Sequence, residues 1–160
     1  MKRPDIDQYF LKIASVVAER STCRRHHVGA VAVTGKHILA TGYNGAIAGQ
    51  PDCLELGCKR EGLPSGVQTE KCRAVHAEMN VLIQCSLHGV NVGGSTIYCT
   101  HPPCIPCAKV LANARIARFI CFLDYQDKSD GELRGSAILN DAGIYFAVMT
   151  QPATKIVILE

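Results

Sequence analysis

His76-Ala77-Glu78, followed 25 residues after the glutamate by Pro103-Cys104-Ile105-Pro106-Cys107, constrains this chain more than any other feature. One imidazole and two thiolates, distant in sequence, make three ligands for a tetrahedral zinc ion and leave the fourth position to water. That is the pattern of a hydrolytic site rather than a closed structural one. The interposed Glu78 is free to move protons. Residues two apart on a helix point about 200° away from each other, so His76 and Glu78 can serve one site only if a helix begins close to His76. Pro102 and Pro103 hold the chain extended before a second helix, whose first turn carries Cys104 and Cys107 on one face. There the helix dipole favours thiolate over thiol. The fold must therefore set two helix N-termini side by side.

The charge count says why a base is needed. Zinc with two thiolates is formally neutral and acidifies water less than an all-histidine site, where the pKa falls to about 7. Glu78 is the expected proton acceptor. A Cys-x-x-Cys alone is commonly a structural half-site or a redox pair, and His-x-Glu recurs by chance; their combination, each with a helix behind it, favours catalysis.

With 160 residues, 48% of them apolar, the chain suits one domain, residues 1–160, with a Cys-rich insertion at about 46–75. Its apolar runs are too short for a membrane span, and Met1 to Asp5 lead into no signal-peptide core, so the expectation is a cytoplasmic protein without membrane partners. Nine cysteines, an odd number, then point to metal and reduced thiols rather than disulfides. A net charge of +3, with Arg24, Arg25, His26 and His27 as its one basic run, makes nucleic acid an unlikely partner; a small phosphorylated ligand suits it better.

Apolar periodicity predicts a helix over 5–21, a hairpin from strands 30–33 and 38–43, and helices over 77–87 and 104–115. Strands are expected at 96–100 and 118–123, a helix at 135–142, a strand at 144–149, and a strand or tail at 155–159. Residues 45–75 hold five glycines, two prolines and three cysteines with little periodicity, which calls for a function or a staple. The succession predicts an α/β fold, a three-layer α-β-α sandwich on a mixed sheet of about five strands.

Val28-Gly29-Ala30-Val31, Thr41-Gly42-Tyr43-Asn44-Gly45, Val75-His76-Ala77-Glu78-Met79-Asn80 and Pro103-Cys104-Ile105-Pro106-Cys107-Ala108-Lys109 together resemble the cytidine and deoxycytidylate deaminase superfamily, in its deoxycytidylate and late-competence-protein-like branch. The resemblance covers roughly residues 5–150 and implies a cytidine deaminase-like fold. It implies zinc-dependent hydrolysis of deoxycytidine monophosphate to deoxyuridine monophosphate and ammonia, with Glu78 catalytic and His76, Cys104 and Cys107 on the catalytic zinc.

The resemblance also assigns Asn44 to the sugar, the Tyr43 to Gly45 loop to the pocket border, and backbone near Ala77 to the pyrimidine. A tight turn is the plainer reading of Asn44-Gly45. Tyr125 resembles a tyrosine near the phosphate, or else caps the sheet edge. Arg24 and Arg25 suit phosphate oxygens or form a solvated basic turn. Asn113 and Arg115 serve subunit contacts or the helix C-terminus.

Among the seven other cysteines, Cys85, Cys99 and Cys121 read as small buried hydrophobes. Relatives carry a second, structural zinc with ligands corresponding to Cys23 and Cys53, and Cys58 and Cys72 can complete the set. The family further implies a homo-oligomer, a hexamer above others, activated by deoxycytidine triphosphate and inhibited by thymidine triphosphate. Two rival functions share the metal motif: a tRNA adenosine deaminase, which needs an RNA-docking face, and a non-catalytic zinc module linked to DNA uptake, which has no use for Glu78.

Overall fold

Asp5 starts the first helix, α1 (Ile6–Ala18), by accepting the N–H groups of Asp7 and Gln8. The computed structural model describes residues 3–122 and 135–150. Helix α1 ends short of the expected residue 21 because Ser21 redirects the chain: its Oγ donates to Asn44 O and accepts from Cys23 N–H. A hairpin follows, β1 (Gly29–Thr34) and β2 (His37–Tyr43), closed by Gly35 and Lys36, both at positive φ as a tight two-residue turn requires.

The segment expected to be irregular is partly ordered. Strand β3 (Gly45–Ala46) pairs antiparallel with β4 (Ala74–Val75). Between them lies one turn of helix, α2 (Cys53–Leu56), held by a reciprocal capping box between Asp52 and Glu55, and a 3-10 turn over Thr69–Lys71. The rest of the chain alternates: α3 (Ala77–Leu87), β5 (Thr96–Cys99), α4 (Ile105–Asn113), β6 (Arg118–Phe122), α5 (Gly135–Asp141) and β7 (Tyr145–Met149). The tail at 155–159 lies outside the described residues.

Five strands form a mixed sheet in the order β2-β1-β5-β6-β7. The β1 strand is antiparallel to β2 and β5, and β5, β6 and β7 run parallel. Alternation along the strands divides the core in two. On one face Val31, Val33, Tyr98, Ile120 and Phe122 pack under α1 through Phe10, Leu11 and Ala14. On the other, Ala30, Ala32, Ile97, Cys99, Phe119 and Cys121 meet Ala77, Val81 and Cys85 of α3, Ala108 and Leu111 of α4, and Leu139 of α5. This is the expected three-layer sandwich, and it places α3 and α4 together on one side, both starting at the same end of the sheet.

Two close approaches fix those starts. A side chain at Gly42 would run into Ala77 O and Val81 N, so β2 and the first turns of α3 touch backbone to backbone. A side chain at Gly135 would meet Pro103 O, which seats α5 against the entry to α4.

Candidate metal centre

His76 is the N-cap of α3 in extended conformation, and Cys104 is the N-cap of α4, with Pro106 in its first turn. Each helix start is thus occupied by a potential ligand, as the spacing requires. Cys104 Sγ lies 3.3 Å and Cys107 Sγ 3.5 Å from His76 Nδ1. A tetrahedral zinc with bonds of about 2.3 Å to sulfur and about 2.0 Å to nitrogen separates S and N by roughly 3.5 Å. The donor set therefore fits zinc in chemistry and spacing. Among the described residues, His76, Cys104 and Cys107 form the one group of three or more His, Cys, Asp or Glu side chains whose ligand atoms all lie within 4.8 Å of one another.

Glu78, at the second position of α3, is only 4% exposed. Burial pushes its carboxyl up to about 7, against the opposing influence of His76 and a hydrogen bond with Cys107. The hydrogen bond with Cys107, and then His76, hold Cys104 down to about 4, and its interaction with Cys104 raises the His76 imidazole. The same bond raises Cys107; a bound cation would displace the thiol protons of both. Behind Glu78, burial raises the thiols of Cys99 and Cys121, the latter to about 12. Both are inert apolar packing.

The Tyr43 to Gly45 loop is anchored to this centre. Asn44 is 6% exposed; its Oδ1 accepts Ala77 N–H at 2.9 Å, and its Nδ2 donates to His26 O at 3.2 Å. Gly45 is buried beside the Tyr43 ring. Arg24 is exposed and reaches toward Gly57. Arg25 is engaged within the insertion, donating to Arg60 O and Leu63 O, each at 2.7 Å. Tyr125 lies outside the described residues.

Cys23, Cys53, Cys58 and Cys72 line one cavity of about 40 Å³, together with Asn44 and His76. Among the described residues no carboxylate lines it, whereas Arg25, Lys59, Arg60 and Arg73 do. Arg60 N–H donates to Cys58 Sγ at 3.4 Å, and Arg73 Nε is buried without a hydrogen-bond partner among the described residues. Burial, then the neighbouring thiols Cys58, Cys23 and Cys72, raise Cys53.

Two contributors escaped the sequence reading. Arg60 is buried and braces the insertion through Val67 O and Pro64 O. Asn80, in the first turns of α3, donates to Tyr43 O and Val75 O. An Asn inside a helix is itself a signal, since its amide competes for backbone partners.

Residues 4–123 match the family model for the cytidine and deoxycytidylate deaminase zinc-binding region. ComE operon protein 2 of Bacillus subtilis is 41% identical over 126 residues, 79% of this chain and 64% of that protein, so the chain spans a little under two thirds of that relative's length. Deoxycytidylate deaminase of Mycobacterium phage D29 is 41% identical over 125 residues, 75% of this chain and 96% of the phage protein. Among solved structures, the dCMP deaminase of cyanophage S-TIM5 in complex with dCMP and dUMP superposes with a TM-score of 0.75 at 29% identity, covering 93% of this chain and all of that one (100%).

Proposed function

Because the chain belongs to the cytidine and deoxycytidylate deaminase family, we propose that it hydrolyses deoxycytidine monophosphate to deoxyuridine monophosphate and ammonia. The observation that carries this reading is the convergence of His76, Cys104 and Cys107 beside the buried carboxyl of Glu78. Zinc held by those three side chains would supply a Lewis acid that polarises a bound water, leaving its deprotonation to Glu78.

Glu78 takes a proton from the attacking water and passes it to N3 of the pyrimidine as the water oxygen bonds C4. The same carboxyl moves the second proton to the exocyclic nitrogen, the C4–N4 bond breaks, and ammonia leaves. Burial keeps Glu78 from bulk solvent, so it exchanges protons with the reactants rather than with water. Backbone near Ala77 holds the ring, and Asn44, with the Tyr43 to Gly45 loop, borders the sugar. Arg24 and Tyr125 are the candidates for phosphate. Arg25, already committed to two carbonyls, acts by shaping the insertion.

Cys23 and the three cysteines of an insertion over about 46–75 of one domain are read as a second, structural zinc site; their sulfurs line one cavity without the mutual approach within 4.8 Å seen at the first centre, so binding the ion would draw them together. A zinc tetrathiolate carries two negative charges, which the surrounding Arg and Lys side chains balance. Homohexamer formation, dCTP activation and dTTP inhibition in the cytoplasm complete the reading. Among the described residues no helix is long and apolar enough to cross a membrane.

The test is a panel of cytidine and deoxycytidine, each with and without a 5′-monophosphate, assayed with and without dCTP and dTTP, with light scattering for the assembly. Preferred turnover of dCMP supports the proposal. Turnover of tRNA adenosine with none of a free mononucleotide contradicts it.

A further inference from the structure

We infer that Asn80 is a positioning residue for the reaction: with Asn44 it forms a reciprocal amide clamp that fixes the start of α3, and so His76 and Glu78, against the loop that closes β2. The kinetic side of this inference rests on the proposed deamination; the structural side does not.

A helix start leaves backbone N–H groups that the N-cap side chain ordinarily satisfies. His76 occupies that position and makes no such bond, because its ring nitrogen is turned toward Cys104 and Cys107. The missing acceptor comes from another part of the chain. Asn44 Oδ1 receives Ala77 N–H at 2.9 Å across 33 residues. Asn80 ties the same two elements from the helix side: its Nδ2 donates to Tyr43 O at 2.8 Å across 37 residues, and to Val75 O at 3.3 Å.

α3 thus donates both bonds, one from its backbone to the loop's Asn44 side chain and one from its own Asn80 side chain to the loop's backbone, so each element sets an amide side chain on the other's main chain. Val75 directly precedes His76, and Tyr43 directly precedes Asn44, so each bond acts beside a residue of the site. One –NH₂ group supplies both donors, which neither a carboxylate nor a single hydroxyl can replace. Close packing of Gly42 on Ala77 O and Val81 N seats the same first turns by contact, and the clamp fixes them by hydrogen bonds.

The test compares zinc-loaded wild type with Asn80→Asp, which keeps the side-chain shape and loses both donors, and with Asn80→Ala. Gln84→Ala, exposed on the same helix, is the control. Hydrogen exchange of peptides covering 43–47 and 74–79 is expected to quicken at least tenfold in both Asn80 variants, with α1 and β6 unchanged and zinc retained. At the same zinc content kcat for dCMP falls at least tenfold and KM rises, while Gln84→Ala behaves as wild type. If Asn80→Ala does not fold, Asn80→Ser, with one donor left, gives an intermediate effect.

Unchanged exchange in the two segments overturns the inference. So does faster exchange spread evenly over the chain, or wild-type kcat and KM in a zinc-loaded Asn80→Asp. Absence of dCMP turnover by the wild-type protein would count against the proposed function, and the exchange pattern would still decide the clamp.

Discussion

Cys104 Sγ stands 3.3 Å from His76 Nδ1 although 28 residues separate them, because each begins a helix and the two helices start at the same end of one sheet. Such convergence leaves little room to replace a ligand. His76→Ala and Cys104→Ser should each lower the zinc content by one ion per chain and abolish dCMP turnover. Metal analysis alongside the assay checks this; full activity in a variant lacking that ion would remove the centre from the chemistry.

Cys23 and the three cysteines of the insertion should bind a second ion. Wild-type protein is expected to carry two zinc ions per chain, and Cys58→Ser or Cys72→Ser one. Loss of that ion should open residues 54–67 to proteolysis, since the side-chain ties left on the segment are those of Arg60, Arg25 and His26. One zinc in the wild type would show that the cavity is sulfur-lined but empty of metal.

Gly42 is where backbone meets backbone. Gly42→Ala puts a methyl group against Ala77 O and Val81 N, and overpacking of this kind costs about 1–3 kcal/mol. For a chain of this size the melting temperature should fall by roughly 2–4 °C for each kcal/mol. Because the clash lies on the first turns of α3, kcat should fall as well. A variant with unchanged melting temperature and kcat would mean that helix and strand separate freely.

The architecture was legible where one period dominated. The hairpin, the α3 and α4 starts and the parallel strands follow from apolar spacing and from Pro102 and Pro103. The insertion was less so, since its order comes from single long-range ties: Arg60 to Val67 O, Arg25 to Leu63 O, and a two-residue strand pair. The Asp52-x-x-Glu55 capping box around α2 was present in the sequence, but four residues carry no periodicity. At the site the metal ligands could be read from spacing. Asn80 stood out only as an amide inside a helix; its role was not legible, because its partners, Tyr43 O and Val75 O, are backbone groups that any sequence would offer.

Cys121 gives the pH dependence a definite sign. Its folded thiol is pushed up to about 12 by burial, from an ordinary 9.0. A raised thiol contributes stability that is fully present below about pH 9 and is lost as pH rises toward the folded value. In between, the unfolded chain releases a proton that the folded one keeps, at about 1.4 kcal/mol per pH unit. Urea unfolding midpoints should therefore decline above pH 9, and less steeply in Cys121→Ala. Equal slopes for the two proteins would contradict this.

The most direct measurement is dCMP turnover by Glu78→Ala at a zinc content equal to that of the wild type. General acid-base catalysis contributes about 10²–10⁴-fold, so the variant should hold its metal and lose at least a hundredfold in kcat. Wild-type kcat in the zinc-loaded variant would show that the buried carboxyl beside His76, Cys104 and Cys107 does not carry the protons of the reaction.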